Sequence, residues 1–415
     1  MRIVAPWRRV VCPFCFERFF LAAAPRRVTS AAGAVQPDGH VARYLGFDAP
    51  PDMGEVRVPP AGNFWEQLLQ RIVVSEEGDG DSRKICPNCH MYLPNKTANG
   101  ELTSEVFAII GARSSGKSNY FGVLLNLLER RYAGEVGFSM FDQDTFSVRD
   151  MKPVGSRKLY RERYYKRLFE ERGAMDQTLS AKSNPALRVP LIYRLQFPKQ
   201  WFHYVTRPLA QMNAMDLVIF DAAGEDMDDT AMLDQFYRFL VRATGIIFVV
   251  DPFQYPGIRQ QLSPELRAKL PAIETEPAEI VARVINLFEQ RRGLRAGQKI
   301  DVPVAFTLSK ADLLKDLVYS GSPILRDSVH RGGFDAEDCQ QVSAEVMASI
   351  KRWDSPQLVD LAESHFRSYA FFAVSALGCL PDNQLRLAGL SPLRLADPLL
   401  FLLWKRGYIR AMPKA

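Results

Sequence analysis

The stretch from Glu105 to Glu129 constrains the fold of this chain more than any other part of the sequence. It runs from an apolar segment through a glycine-containing turn into a leucine-rich segment. The turn has the spacing G-x-x-x-x-G-K-S, with its defining residues at Gly111, Gly116, Lys117 and Ser118. Glycines at these places let the backbone approach a phosphate, and the N–H groups ahead of a helix can then surround that anion. The stretch therefore predicts a strand, a phosphate-binding P-loop and a helix, in this order.

The side chains of this loop have separate predicted tasks. Lys117 would reach the β- and γ-phosphates of a nucleotide. Ser118 would offer its hydroxyl to Mg²⁺, because this ion takes oxygen ligands and commonly bridges phosphates to one or two side chains. Further contacts to the nucleotide are expected from the rest of the loop, at Gly111, Ser114, Ser115, Gly116 and Asn119.

Length, charge and hydropathy narrow the class of protein. The chain has 415 residues and a formal net charge of +6, which is mild for this length and does not by itself indicate nucleic acid. No apolar run reaches the roughly 18 residues of a membrane span. The N-terminus lacks a long apolar core with a small-residue cleavage site, so no secretory signal is expected. These features predict a cytoplasmic protein with no membrane span.

Four of the six cysteines fall in two identical spacings, Cys12-Pro-Phe-Cys15 and Cys86-Pro-Asn-Cys89. Each C-P-x-C turn aims two thiolates at one point, so the matched pair predicts one closed, tetrahedral zinc site. His90 is an alternative ligand. Two separate redox dithiols, or surface cysteines, are the alternatives to a metal site.

Residues 1–100 are accordingly interpreted as a zinc-ribbon-like module with an inserted segment, because the entropy of closing a loop grows only slowly with its length. Val28 to Pro60 is rich in Ala, Gly and Pro, which predicts mostly irregular structure. Pro94 to Leu102 is polar and predicts a linker. Residues 101–415 then form the P-loop domain, with helical insertions and a C-terminal helix.

A second apolar strand, Asp216 to Phe220, delivers the sequence Asp221-Ala-Ala-Gly224 at its end. The D-x-x-G pattern suits the γ-phosphate side of a nucleotide switch. Asp221 would hold Mg²⁺ through water, and the N–H of Gly224 would bond the γ-phosphate and sense its loss.

Two later strands end in residues suited to a purine base. The strand at Val302 to Thr307 delivers Ser309-Lys310-Ala311-Asp312. The carboxylate of Asp312 can accept from both N1–H and the 2-amino group of guanine, whereas adenine offers an acceptor at N1. The stem of Lys310 can lie along the base. The strand at Tyr369 to Val374 delivers Ser375, Ala376 and Leu377, from which a backbone N–H could meet the guanine O6.

Between the P-loop helix and the second strand, Arg157 to Arg172 is strongly basic. Its apolar residues would form one face of a helix. A solvated basic face is favoured over a nucleic-acid patch, since charge runs are usually solvated. The sequence alone leaves both open.

Taken together, the motifs GARSSGKS, DAAG, SKAD and SAL resemble, in order and in placement, those of the translation-factor-related (TRAFAC) class of P-loop GTPases. The resemblance covers about Val106 to Leu380. It implies an α/β fold with a doubly wound, mainly parallel sheet and the nucleotide at the carboxyl ends of its strands. The zinc-ribbon start also looks like the double-GTPase group of bacterial conflict systems, in which two GTPases are encoded together, so a second GTPase is an expected partner.

The sequence departs from the class pattern at three places. Ser309 stands where Asn or Thr is usual, Glu225 stands where many small GTPases have a water-positioning Gln, and Arg113 replaces a glycine beside the γ-phosphate. Glu225 and Arg113 would each slow hydrolysis. Alternatively, Arg113 would supply positive charge to the transition state. Thr178 is preferred over Thr145 and Thr206 as the switch threonine that binds Mg²⁺.

The expected function is that of a Mg²⁺-dependent switch that binds GTP or GDP, hydrolyses GTP slowly without a partner, and acts through partner proteins. Zn²⁺ would be its structural metal. One rival is a nucleotide-dependent nucleic-acid-binding protein that uses the zinc module and the basic helix. A second is a scaffold whose nucleotide is never hydrolysed.

Overall fold

A seven-stranded sheet forms the centre of the protein, in a computed structural model that describes residues 9–28, 37–49, 53–58, 82–100, 102, 104–112, 114–148, 152–175, 189–198, 214–220, 237–273, 276–295, 297–353 and 356–413. The strands in chain order are β1 (Arg9–Val11), β2 (Arg18–Phe20), β3 (Arg26–Val28), β4 (Glu55–Arg57), β5 (Ser82–Lys84), β6 (Ser104–Ile110), β7 (Ser139–Asp142), β8 (Asp144–Ser147), β9 (Lys152–Gly155), β10 (Leu191–Gln196), β11 (Ala214–Phe220), β12 (Gly245–Val250), β13 (Val304–Leu308) and β14 (Tyr369–Ala373).

The described α-helices are α1 (Gly39–Leu45), α2 (Asn95–Ala98), α3 (Lys117–Leu127), α4 (Ala133–Val136), α5 (Ser156–Tyr160), α6 (237–242), α7 (Pro256–Gln261), α8 (Pro264–Lys269), α9 (Pro277–Arg292), α10 (Ala336–Arg352), α11 (Gln357–His365) and α12 (Asp397–Lys405). Two π-helical stretches, Leu128–Tyr132 and Arg161–Glu170, continue α3 and α5. Within these ranges, no helix is long and apolar enough to cross a membrane.

The strand order of the large sheet is β14-β13-β12-β6-β11-β10-β7. The first five strands run parallel, while β10 is antiparallel to both β11 and β7. All residues of β6 and β12 are buried, as expected for strands covered on both faces. The predicted mainly parallel α/β sheet is therefore present. After β6 the chain builds β11 on one side of it and then β12 on the other. Such a switch point is where open α/β sheets bind ligands.

The basic segment covers helix α3, which follows the P-loop. Gly122 of α3 lies so close to it that an added Cβ would be 2.5 Å from Leu168 Cδ1. Tyr160 donates its hydroxyl hydrogen bond to the Gly122 carbonyl at 2.8 Å, and Phe121 packs edge-on against Tyr164 at 5.0 Å. The predicted apolar face of this segment is thus buried against the P-loop helix.

Three arginines of this segment pair with glutamates. Arg161 lies 2.8 Å from Glu170, Arg167 lies 3.4 Å from Glu171, and Arg157 bonds Glu129. This pairing supports the favoured interpretation, a solvated face with its own counter-charges.

The N-terminal module contains more regular structure than its composition predicts. Helix α1 and strand β4 lie in the segment between Val28 and Pro60 that was expected to be mostly irregular, so this segment contains two short regular elements. The side chain of Asp38 caps α1 by accepting from the N–H groups of the first turn, and Gly46 ends the helix at φ +80°. Strands β4 and β5 flank β3 in a three-stranded antiparallel sheet.

The segment expected to be a linker is packed against the large sheet. Thr97 of α2 is fully buried and donates a 2.7 Å hydrogen bond to Asp216, the third residue of β11. Arg194 of β10 pairs with the same carboxylate at 3.0 Å. On another side of the module, Phe16 contacts Phe239 of α6 at 5.0 Å between ring centroids. Short elements with polar sequences thus join the cysteine module to the sheet.

Candidate functional site

The P-loop lies at the switch point of the sheet, between the ends of β6 and β12. Gly111 is required here because a Cβ on it would be 2.3 Å from the carbonyl oxygen of Val249 in β12. Gly116 has φ +88° and Ser114 has φ +56°, so the loop turns through two left-handed residues before α3 begins. The close approach of β12 therefore explains Gly111, and the left-handed backbone of the turn explains Gly116.

Polar groups of the loop converge on one place. Lys117 is buried, and its ammonium donates to the carbonyls of Gly111 and Ala112 at 2.7 and 3.2 Å. The hydroxyl of Ser115 is buried and has no hydrogen-bond partner among the described residues. Ser118 is buried in the first turn of α3. An ammonium, an unpartnered buried hydroxyl and a helix N-terminus in one loop fit a phosphate group.

The loop that follows β13, Ser309 to Asp312, is fixed to its neighbours at several points. Ser309 donates its N–H at 2.8 Å and its hydroxyl at 3.3 Å to the carbonyl of Val250. Ser309 thus ties the loop to β12. The N–H of Ala311 donates to Val374 at the end of β14, at 3.0 Å. Asp312 is half-buried in the turn that follows.

Lys310 connects this loop to the P-loop. It has φ +56°, and its ammonium lies 2.7 Å from Asp251 Oδ2 and 3.3 Å from the carbonyl oxygen of Ser114. Asp251 ends β12, is fully buried, and also accepts from the N–H of Phe253. The sequence analysis missed Asp251, although its position at the tip of a parallel strand and before Pro252 was visible.

The loop after β14 differs in detail from the expectation. The N–H of Ser375 donates to the carbonyl of Leu393 at 3.0 Å, and its hydroxyl accepts from the N–H of Gly378 at 2.9 Å. Ser375 therefore shapes the loop and its N–H is already paired, so the prediction of a backbone contact to a guanine O6 stays a prediction for Ala376 and Leu377. The sequence around Ser375 does not indicate its pairing with Leu393, because Leu393 lies in a later segment of the chain.

Two further predicted residues of the site have other contacts or lie elsewhere. The side chain of Asn119 accepts from the N–H of Met175 at 2.9 Å, so it tethers the end of the basic segment to α3. Thr145, the rejected alternative for the Mg²⁺ ligand, is buried and donates to the carbonyl of Pro190 at 2.7 Å. The remaining predictions lie outside the described residues, at Arg113, Thr178, Asp221, Gly224 and Glu225.

The four cysteines of the two C-P-x-C turns meet in one buried cluster, Cys12, Cys15, Cys86 and Cys89. Their sulfurs all lie within 4.8 Å of one another, and the Sγ–Sγ distance is 3.7 Å for Cys12–Cys89 and for Cys15–Cys86. A tetrahedral zinc ion with Zn–S bonds of about 2.3 Å requires sulfurs about 3.8 Å apart. The cluster therefore fits a closed Cys₄ zinc centre.

The two turns have the same backbone geometry. In each, the first cysteine accepts an N–H from the residue four places on, and that residue is left-handed: Phe16 at φ +60° and His90 at φ +54°. Backbone N–H groups two residues after Cys12 and Cys86 point at their sulfurs, both at 3.4 Å. Such N–H···S bonds stabilise thiolates that bind a metal.

His90 belongs to a separate polar cluster and does not join the sulfurs. Its Nδ1 lies 2.8 Å from Asp38, which also pairs with Arg27 at 2.5 Å, and its ring stacks on His40 at 4.1 Å. Burial acts to raise the pKa of Asp38, but the hydrogen bond and charge of His90, together with Arg27, hold that pKa below its usual range. The alternative in which His90 replaces a cysteine ligand is therefore wrong for this geometry.

The cysteines differ in their readiness to ionise. Burial raises the pKa of Cys12 and of Cys89, whereas hydrogen bonds from the other cysteines, chiefly Cys12, lower the pKa of Cys15. Binding of Zn²⁺ would release protons from the thiols, because the metal takes thiolate ligands.

The fold and the site define an α/β protein with a P-loop at the switch point of a mostly parallel sheet and a separate four-cysteine cluster. No family model matches the chain. It is 29% identical over 336 residues, 76% of this chain and 78% of the other, to a Mycolicibacterium smegmatis protein named "Putative ESX-1 scaffolding and assembly protein SaeC".

Two solved structures are also similar to parts of the chain. One is the GTPase-like domain of S. cerevisiae Ski7 bound to GTP, with 12% identity, a TM-score of 0.31 and coverage of 76% of this chain and 53% of that one. The other is sup35 complexed with GDP, with 13% identity, a TM-score of 0.21 and coverage of 66% and 37%. The chain thus spans about half or less of either structure, and the assignment of its site rests on its own residues.

Proposed function

We propose that this chain is a switch protein that binds and hydrolyses GTP and acts through partner proteins. The single observation that carries the proposal is the contact between Lys310 and Ser114, residues 196 positions apart, at 3.3 Å. This contact brings the Ser309–Asp312 loop, whose residues suit a purine base, against the P-loop, whose residues suit phosphate. A nucleotide carries both a base and phosphates, whereas a free phosphate or a free base has only one of these groups.

The base end of the proposed site selects guanine. Asp312 accepts from N1–H and the 2-amino group, and the stem of Lys310 lies along the ring. Adenine would leave the Asp312 carboxylate without its donors, which costs about 1–3 kcal/mol when such a group is desolvated. Ala376 supplies the N–H for O6.

The phosphate end uses the P-loop residues. Lys117 exchanges the carbonyls of Gly111 and Ala112 for the phosphates, and the N–H groups at the start of α3 complete the cradle. Mg²⁺ would be held by Ser118 and, from the sequence pattern, by Asp221 through water and by Thr178. When bound, this ion neutralises charge that develops on the phosphates.

Hydrolysis requires a positioned water and positive charge at the transition state. The sequence places Glu225 at the first task, where a carboxylate accepts a hydrogen bond from water but cannot donate one to the γ-phosphate. Arg113 would serve the second task in cis, or crowd the water. We therefore propose slow intrinsic hydrolysis that a partner accelerates.

The partners are proposed to be proteins. The M. smegmatis relative carries a name for scaffolding and assembly, which supports a role in building or holding a protein complex and gives no support to the double-GTPase conflict systems. A second GTPase stays one candidate partner. Nucleic acid is not favoured, because Arg157, Arg161 and Arg167 of the basic segment have glutamate partners.

Zinc is proposed as a structural metal of the N-terminal module. Four cysteine ligands close the coordination sphere, so that no position is open to a substrate. The metal would hold Phe16 against Phe239 and α2 against β11.

Binding of fluorescent GDP in the presence of Mg²⁺ tests the proposed function on the whole chain. Lys117→Ala should abolish binding, because the buried ammonium is the main positive charge of the loop. Lys269→Ala, an exposed lysine on α8, is the matched control and should bind as the unchanged protein does. Absence of binding by the unchanged protein, or equal binding by Lys117→Ala, would contradict the proposal.

A further inference from the structure

A later part of the chain holds the loop that follows β14. Leu393 and Ser375 exchange two backbone hydrogen bonds, at 2.9 and 3.0 Å. The N–H of Ser391 donates to the carbonyl of Leu377 at 3.0 Å. Gly378 has φ +77°, and a Cβ on it would be 2.4 Å from the carbonyl oxygen of Ser391. The loop and residues 391–393 therefore form a tightly spaced pair of strand-like segments.

Arg394, the next residue, anchors this pair to the interior. It is 3% exposed and has φ +52°. Its guanidinium lies 2.7 Å from Asp397 and also bonds Asp338, the third residue of α10. The same group donates to the carbonyls of Arg326 at 3.0 Å and Pro323 at 3.4 Å. The last two residues lie in the turns that follow the Ser309–Asp312 loop.

The arrangement requires arginine at this position. A guanidinium presents five donors in a rigid fork, whereas a lysine ammonium is a single point on a flexible stem. Only the fork can bond two carboxylates and two carbonyls at once. Asp397 is held on its other side by His330 at 3.0 Å, so the acceptor positions are fixed as well.

We propose that Arg394 is a positioning residue for recognition of the base: it fixes the loop of Ser375 to Leu377 relative to the loop of Ser309 to Asp312. This inference rests on the proposed function. The N–H of Ala376 meets O6 only while residues 391–393 hold the loop, and Arg394 holds residues 391–393 against the turns that continue the other loop. Loss of Arg394 therefore weakens discrimination at O6 and leaves recognition of the 2-amino group to Asp312.

Two analogues separate these contacts. In 6-thio-GTP a sulfur, a weak acceptor, replaces O6, while N1–H and the 2-amino group stay. ITP keeps O6 and lacks the 2-amino group. The unchanged protein should bind both analogues more weakly than GTP. In Arg394→Lys the preference for GTP over 6-thio-GTP should fall about two- to tenfold, the worth of one hydrogen bond. The preference for GTP over ITP should stay.

A second variant and a matched control guard against general loss of structure. Gly378→Ala pushes the loop away from Ser391 without touching the ion pairs, and it should change the same ratio. If Arg394→Lys does not fold, Asp338→Asn, which removes the charge of one carboxylate partner of Arg394, tests its role by the same ratio. Arg406→Lys disturbs a different ion pair, in which a partly exposed arginine lies 3.2 Å from the buried Glu105 at the opposite end of β6, and should change neither ratio.

The positioning role would be overturned if the folded variants kept the same ratio of GTP affinity to 6-thio-GTP affinity as the unchanged protein. Equal falls in this ratio and in the ratio of GTP affinity to ITP affinity would overturn it as well. Equal binding of GTP and ATP by the unchanged protein would instead refute the proposed function, before any variant is made.

Discussion

The ammonium of Lys310 lies 2.7 Å from the carboxylate of Asp251, which is fully buried at the end of β12. The side chain of Asp251 is fully buried, whereas the side chain of Lys310 is about a quarter exposed. It directs the lysine from the loop after β13 towards the P-loop, where its ammonium also contacts the carbonyl of Ser114. Asp251 thereby holds together the two loops of the proposed nucleotide site.

Asp251→Asn should weaken binding of GTP and GDP by about tenfold or more, because a hydrogen bond between charged groups contributes about 1.5–3 kcal/mol. The two nucleotides should lose affinity equally, since Lys310 belongs to the base end of the site. Titration of fluorescent nucleotides measures both constants. Asp301→Asn, which removes an exposed partner of Arg367, should leave them unchanged. Affinities of Asp251→Asn within twofold of the unchanged protein would count against the role of this pair.

Gly111→Ala should prevent formation of the P-loop. The new Cβ would be 2.3 Å from a backbone carbonyl of β12, which cannot move without shifting the strand. We expect lower thermal stability together with loss of nucleotide binding. Gly134→Ala is the control: this exposed glycine in α4 has open space around its Cβ, and Ala in a helix is favoured by about 0.5–1 kcal/mol. Wild-type binding by Gly111→Ala would show that the strand does not constrain the loop.

The purified chain should contain one zinc ion per molecule. Cys86→Ser removes one of four buried ligands, so the zinc content should fall and the melting temperature should drop with it. Cys379→Ser changes a cysteine outside the cluster and should retain the metal. Elemental analysis and thermal unfolding check both variants. Less than about half an equivalent of zinc in chelator-free preparations, with Cys86→Ser as stable as the unchanged protein, would remove zinc from the account.

Single-turnover hydrolysis of GTP by the isolated chain should be far slower than about 1 per second, the lower end of assembled phosphoryl-transfer sites. The reason is that, in the proposed site, the carboxylate of Glu225 would lie beside developing negative charge. Glu225→Gln should therefore accelerate the reaction if the position is equivalent to the water-positioning residue of the class. A rate of about 1 per second without any partner would refute partner dependence, and its loss in Arg113→Ala would identify an internal catalyst.

Local patterns in the sequence predicted the parts of the molecule that local chemistry determines. The P-loop glycines, the ends of β13 and β14, and the paired C-P-x-C turns each have a short motif. The central strands are continuous apolar runs because they are buried on both faces. These features needed no knowledge of distant residues.

The parts that were missed depend on long-range packing or on a weak local signal. Helix α1 had its signal, Asp38 before it and Gly46 after it, but the surrounding Ala, Gly and Pro outweighed that signal. The pairing of Leu393 with Ser375 and the packing of Thr97 on Asp216 join segments far apart in sequence, and no motif marks them. Asn119 was assigned to nucleotide because it follows the motif serine, yet its side chain contacts Met175.

Competition for bound GDP tests the central claim most directly, because guanine recognition by Asp312 separates a GTPase from other P-loop proteins. GTP should displace labelled GDP at concentrations at least about tenfold below those of ATP, because bound adenine would desolvate the Asp312 carboxylate without offering it a donor. Asp312→Asn should turn this preference towards xanthine nucleotides, whose 2-oxo group accepts from an amide where guanine donates. Equal displacement by ATP and GTP, with no shift in Asp312→Asn, would contradict the account.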